Sequence, residues 1–362
     1  MVGTDKCDRI LLSCSTASAL YGLLLVSSAV KSTGGISNII VQSVAIVLGL
    51  IIMMVLSNID YNALLVLHTP VMLVSLLMLV VVLLIGIGGA ETGTTGWIRV
   101  GPLSIQPSEF AKVGFILTFA HHLSSKQRVI EKFSTLMGLC LHAGAFIGLV
   151  LLQPDYGTAM VFIFIAVVMM FYAGVRIRYF VAGGLAFIAS LPLFWYFILD
   201  EFQKQRILVF LNPESSPMGA GYNVIQSKIA VGAGMIFGKG VFKGTQVQLG
   251  FIPGRHTDFI FAVAGEELGF FGCLVIIALL GTIIYRLLRG AERVRIDGGS
   301  FILMGIAAML IFQCFENIGM CIGIMPCTGI PLPFFSYGGS SILTNFISIG
   351  IALSIIRRRD YI

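Results

Sequence analysis

The sequence predicts an all-α integral membrane protein, a polytopic bundle of about ten transmembrane helices with a large extracellular loop between spans seven and eight. Three observations predict it. Of 362 residues, 57% are hydrophobic and only 11% are charged, against roughly 25% charged in a soluble domain. That leaves too little polar surface to cover a water-exposed exterior. The apolar residues run on for about 20 positions at a time without a period-two alternation. A bilayer accepts only helices or closed barrels, because backbone polar groups must be satisfied within the protein, and continuous runs are helices. Finally, Lys and Arg gather at one set of run ends.

The runs fall at roughly 10–30, 37–56, 70–88, 107–124, 135–153, 156–174, 179–199, 258–285, 300–322 and 339–356. The first is not a cleaved signal peptide: it is long, lacks a small-residue cleavage site and leads directly into further spans. With a cytoplasmic N-terminus, ten spans place Lys6, Arg9, Lys126, Arg128, Lys132, Arg176, Arg178, Arg286, Arg289, Arg293, Arg295, Arg357, Arg358 and Arg359 on the cytoplasmic side. These are most of the 23 basic residues, as the positive-inside rule expects. Both termini are then cytoplasmic. The net charge of +6 reflects topology and implies no nucleic-acid partner. Cys14, Cys140, Cys273, Cys314 and Cys321 fall in spans as small apolar side chains. No pattern of the seven cysteines reads as a metal site or a disulfide.

The polar residues gather in the loops of the opposite, extracellular side. Gln106-Pro107-Ser108-Glu109 opens the fourth span, with Pro107 in its first turn and Lys112 three residues after Glu109, within pairing reach. A lone intramembrane charge costs about 2.5–3.5 kcal/mol, so the pair is either a helix-end ion pair or one wall of a polar cavity. Gln153-Pro154-Asp155-Tyr156-Gly157-Thr158 has ordinary turn chemistry. The long loop at about 200–257 carries Tyr222 to Ser227, then Gly232, Gly234, Gly238 and Gly240, then Gly244-Thr245-Gln246. Glycines at that density, interleaved with Ile229, Val231, Met235, Ile236 and Phe237, predict a folded, re-entrant segment whose backbone is closely approached. Arg255-His256-Thr257-Asp258 enters the eighth span, and Glu266 and Glu267 follow two turns deeper. Capping would explain Thr257 and Asp258 but not the deeper carboxylates, which need a polar interior. Thr328-Gly329-Ile330-Pro331-Leu332-Pro333-Phe334 and Ser336-Tyr337-Gly338-Gly339-Ser340-Ser341 break helix geometry before the last span. Glu316 and Asn317 in the preceding span are expected to face inward.

From Trp97 to Ser341 these strings resemble, in order and spacing, the RodA-type members of the SEDS family, membrane glycosyltransferases that polymerise peptidoglycan from lipid II. Gly244-Thr245-Gln246 and Arg255-His256 are closer to the elongation-type RodA branch than to the division-type FtsW branch. Two positions depart from the family pattern: Gly254, where many relatives are acidic, and Gly96, where many have Arg before the tryptophan; Arg99 is the nearby substitute. The resemblance implies a single inverting displacement at the outer face. An acceptor hydroxyl attacks the anomeric carbon of the donor, and polyprenyl pyrophosphate leaves. It implies Asp258 as the base, which a helix N-terminus and Arg255 would hold ionised and desolvation would oppose. It also implies substrate contacts from Lys112, Arg255, Arg99, Glu109, Gln106, Gln226, Ser227, His256, Thr257, Ser336 and Glu266. Lys239 and Lys243 are further candidates for the pyrophosphate. Glu109, Glu266 and Glu267 are the carboxylates available to a divalent cation, Mg²⁺ or Mn²⁺, although no metal motif is visible. The implied partners are lipid II, the lipid-linked nascent glycan and a class B penicillin-binding protein, since the chain has no domain to crosslink peptides. The rival reading is a lipid II flippase, for which ten spans and buried charges would serve as well.

Overall fold

The computed structural model describes residues 8–87, 95–100, 103–199, 201–212, 221–294 and 297–358. Lys6, Arg295 and Arg359, assigned above to the cytoplasmic side, lie outside them. The regular secondary structure of the described residues is helical apart from one short antiparallel hairpin.

Helix α1 (Arg9–Val30) starts where the Asp8 side chain accepts from the Leu11 backbone N–H. Asp8 also accepts from Arg286 Nε at 2.7 Å, which ties this end of α1 to the far end of a helix described below. A tight turn then leads to α2 (Ile36–Asn58). Short α3 (Tyr61–Val66) and α4 (His68–Ile85) follow. Strands β1 (Ile98–Val100) and β2 (Leu103–Ile105) pair with Arg99 opposite Ser104. Helix α5 (Pro107–Lys126) has Pro107 in its first turn, where its missing N–H costs nothing. Then come α6 (Phe133–Leu151), α7 (Tyr156–Tyr172) and α8 (Ile177–Leu193). No residue of α8 is buried within the chain.

The long connection contains α9 (Glu201–Leu211), α10 (Tyr222–Ala233) and the single turn α11 (Thr245–Gln248). Three long helices complete the bundle: α12 (Ile260–Arg293), α13 (Gly298–Ile322) and α14 (Gly339–Arg357). Among the described residues, eight helices are long and apolar enough to cross a membrane. Helix α7 is apolar but only 17 residues long, and α5 carries Glu109 and Lys112 in its first turns. Ten spans are reached only if those two cross as well.

Close helix packing comes from small residues, as lipid-embedded bundles require. A Cβ on Gly350 of α14 would lie 2.9 Å from the Met53 backbone of α2, and one on Gly49 would strike the Phe346 ring. Helix α13 is the central element. Its residues Phe301 to Leu310 are buried except for half-buried Met304, enclosed by α5, α7, α12 and α14.

Helix α12 is interrupted at Gly269, where φ is +65°. The break frees backbone groups on both sides, and the glycine-rich segment of the connection takes them. Lys239 N donates to Glu266 O, Gly240 N to Glu267 O, Phe270 N to Met235 O and Phe271 N to Ile236 O. Gly238, at φ +76°, sits so close that a Cβ would be 2.2 Å from Glu267 O. Irregular backbone is thus satisfied inside the protein, as a lipid surrounding demands.

Candidate active site

Asp258 lies in a turn before α12. Gly254, at φ +64°, lets the turn close, and its carbonyl accepts from Thr257 N at 3.0 Å and Phe259 N at 3.2 Å. The capping alternative for Thr257 and Asp258 does not hold, since the helix begins after Phe259 with no side-chain cap. The turn is clamped from two sides. Asn317, buried on α13, donates its amide to both Asp258 O and Ile330 O at 2.8 Å. Ser336 Oγ accepts from Leu332 N and donates to Thr257 O at 2.7 Å, while Tyr337 N donates to His256 O at 2.8 Å. The proline- and glycine-rich segment before α14 is therefore wrapped onto residues 256–258.

Glu316, next to Asn317, is fully buried and accepts from the Thr328 hydroxyl. Its second oxygen has no partner among the described residues. Gly329 follows Thr328 at φ +79°, and a Cβ there would sit 3.8 Å from Asp258 Oδ2. Arg206 of α9 supplies the cation, its charge acting on both Asp258 and Glu316. Burial pushes the Asp258 carboxyl up to about 6, opposed by Arg206. His256 is pushed down, by burial first and by the neighbouring Arg255 second. A carboxylate with a proton affinity near neutrality is suited to taking a proton from a hydroxyl.

A second polar cluster lies across Thr328. Lys112 Nζ and Glu109 Oε1 are 2.6 Å apart and both side chains are buried, which realises the pairing read from their spacing. Gln106 donates its backbone N–H to Ser340 Oγ at 3.1 Å and its side-chain amide to Asp155 Oδ2 at 3.4 Å. Asp155 caps α7 through Thr158 N at 3.0 Å. Its carboxyl is raised by burial, against the Thr158 bonds and the Lys112 charge. Gly96 roofs the cluster: a Cβ would lie 3.8–3.9 Å from Asp155, Gln106 and Gln153 side-chain atoms. Ser108 Oγ and Gln153 Oε1 have no described partner. Gly157 at the start of α7 packs on Thr328 and Ile330, so the two clusters flank one loop.

Other predicted residues have different positions. Arg255 does not face Asp258; its guanidinium donates to Ala29 O at 2.6 Å and Ser32 Oγ at 2.8 Å, holding the end of α1. Arg206, not Arg255, is the cation whose charge reaches Asp258. Glu266 is fully buried and receives Lys239 Nζ, Thr245 Oγ1, Gln246 N and Val247 N at 2.8–3.1 Å. Glu267 receives Ser28 Oγ at 2.7 Å and Gln248 Nε2 at 3.1 Å. Glu266 and Glu267 both lie against Gly244, while Glu109 is bound to Lys112. Among the described residues no three acidic, histidine or cysteine side chains are grouped to hold a metal ion, so the residues named for a divalent cation do not fit one. Ser227 donates to Cys321 O at 2.8 Å, and Gln226 lies beside it on α10, half-buried. Arg99 is exposed on β1.

Sequence reasoning gave Arg206 no role and Glu316 no partner. Arg206 sits 52 residues from Asp258 in a charged stretch, and no local spacing relates them. Glu316 carried a signal, a carboxylate in an apolar run.

The sequence pattern of the FtsW/RodA/SpoVE family, described as cell cycle proteins, matches residues 8–361. A probable peptidoglycan glycosyltransferase FtsW of Trichlorobacter lovleyi is 35% identical over 96% of this chain and 92% of its own length. A solved chain from a peptidoglycan synthase complex, described as showing structural coordination of polymerization and crosslinking, superposes with a TM-score of 0.82 at 33% identity. The match covers 99% of this chain and all of that one. The rod shape determining protein RodA of Thermus thermophilus superposes at 0.73 with 30% identity, over 99% of this chain and 98% of that one. Helical membrane architecture, ordered motifs and full-length similarity agree: this multi-pass membrane protein belongs to the FtsW/RodA/SpoVE family, the SEDS peptidoglycan glycosyltransferases.

Proposed function

We propose that this chain polymerises glycan strands from lipid II at the extracellular face of the cytoplasmic membrane, with Asp258 as general base and both termini in the cytoplasm. The observation that carries the reading is the placement of Asp258, in a turn held by Asn317, Ser336 and Tyr337 and facing the loop at Gly329. Asp258 takes the proton of the acceptor hydroxyl as that oxygen bonds to the donor's anomeric carbon. The bond to the pyrophosphate oxygen breaks on the opposite side, and the configuration inverts from α to β. Departing pyrophosphate needs positive charge, for which Arg206, Lys112 and the exposed Arg99 are the candidates; Gln106, Asp155 and Glu109 hold the Lys112 wall in place. Both polar clusters flank the same loop at one end of the bundle, which favours chemistry at one face over a flippase with a polar path to both.

A role in cell elongation and shape rests on the Gly244-Thr245-Gln246 and Arg255-His256 strings. A class B penicillin-binding protein is the proposed transpeptidase partner, in keeping with the solved peptidoglycan synthase complex to which the chain is similar.

The test is polymerisation of purified lipid II by the protein with a glycosyltransferase-inactive penicillin-binding partner, comparing wild type with Asp258→Asn. Product from wild type alone supports the reading, and equal product from both removes Asp258 as the base. No product, together with lipid II translocation in proteoliposomes, would establish the flippase instead.

A further inference from the structure

Four of the five histidines lie together at the end of the bundle opposite Asp258. A groove of about 550 Å³ opens laterally between α4 and α6 over α5, with His68, His121, His122 and His142 along it. From Thr118 to Ser125 on α5 it runs about 10 Å. Its walls are apolar, among them Leu76, Phe146 and the 74%-exposed Leu141, so it faces lipid rather than the candidate active site.

One set of tautomers satisfies every partner of these rings. His68 Nδ1 is 3.0 Å from Leu65 O, an acceptor only, so the proton is on Nδ1 and Nε2 keeps a lone pair. Thr118 spends its hydroxyl proton on Phe115 O and therefore accepts from His142 Nε2 at 3.1 Å. His142 Nδ1 must then accept from His122 Nδ1 at 3.2 Å, which leaves the lone pair of His122 on Nε2. Gly138 opposite leaves that atom room, since a Cβ there would be 3.9 Å away. His68 and His121 stack in parallel at 3.6 Å, a geometry that two charged rings would oppose. The groove thus offers acceptors from neutral imidazoles. One turn beyond His122, Lys126 adds a positive charge that acts on it. No acidic residue lines the groove.

We infer that this groove seats a phospholipid with a primary-amine headgroup from the leaflet opposite the Asp258 end. The ammonium donates to the Nε2 lone pairs of His122 and His68, the adjacent phosphate pairs with Lys126, and one acyl chain lies along the apolar wall. A trimethylammonium headgroup has no N–H to give, and an anionic glycerol headgroup lacks the cationic donor. The test is native mass spectrometry of the purified protein with equal amounts of dioleoyl phosphatidylethanolamine, phosphatidylcholine and phosphatidylglycerol, a readout independent of glycosyl transfer. Retention of the ethanolamine lipid is expected to exceed the other two by about threefold or more, in line with the net worth of a buried hydrogen bond. His122→Phe, and Gly138→Leu which fills the space opposite it, each bring that retention down to the phosphatidylcholine level in protein that stays monodisperse. Equal retention of ethanolamine and choline lipids, preferential retention of the glycerol lipid, or unchanged selectivity in both variants would overturn the inference.

Discussion

Asn317 binds the backbone of Asp258: its amide donates to the Asp258 carbonyl and, at the same 2.8 Å, to that of Ile330. One side chain on the central helix therefore sets the distance between the turn that carries the carboxylate and the loop that faces it. Asn317→Leu removes both bonds and strands two carbonyl groups, at a cost of about 1–3 kcal/mol each if they stay buried. The expected result is a fall in kcat of about 10²-fold, the effect of a small misplacement, with a lesser change in KM. Steady-state polymerisation assays on monodisperse variant protein measure it.

The Asp258 carboxyl, raised to about 6 by burial, predicts a pH profile. A base works only when ionised, so polymerisation is expected to fall about tenfold per unit below that value and to level off above it. Arg206 stabilises the ionised form. Arg206→Gln removes that help, so the acid limb is expected to move upward in pH. A kcat–pH series for both proteins checks the sign; a downward shift would show that Arg206 does not act on the base.

Most of the fold was legible because lipid imposes it: continuous apolar runs and the placement of Lys and Arg locate helices and ends without tertiary information. Local spacing also gave the Glu109–Lys112 pair, whose partners are three residues apart on one helix. The sequence could not say what distant charges meet. Arg255 is adjacent to the Asp258 turn in sequence yet spends its guanidinium on α1, while Arg206 arrives from α9. Glu266 and Glu267 looked like cavity carboxylates because they are expensive in an apolar helix. The structure meets that expense with backbone N–H groups from a loop folded into the break at Gly269, a break that no helical periodicity reveals.

Glu266 therefore predicts a stability effect. It is completely buried and receives two backbone N–H groups and the Lys239 ammonium, which is itself 30% exposed. Glu266→Ala strands the Gln246 and Val247 N–H groups, while Lys239 keeps the Thr245 hydroxyl; a buried donor left without a partner costs about 1–3 kcal/mol. The variant is expected to unfold at a clearly lower temperature in detergent than wild type, whereas Asp258→Asn is expected to keep the wild-type midpoint or exceed it. A thermal-shift comparison of the two separates a holding residue from a chemical one.

Gly329 tests the space above the base. Its φ of +79° is a conformation that side chains adopt at a cost of about 1–3 kcal/mol, and a Cβ would lie 3.8 Å from Asp258 Oδ2. That distance is ordinary contact, so Gly329→Ala adds strain without a clash, whereas Gly329→Val places further methyl groups where an acceptor hydroxyl must approach. The expected order of kcat/KM is wild type, then alanine, then valine. The alanine loss should appear as a modest drop in melting temperature, and the valine loss should exceed what that drop explains. Parallel melting and initial-rate measurements distinguish the two. An alanine variant as inactive as the valine one would mean that the loop's conformation, rather than the space beside Asp258, sets the rate.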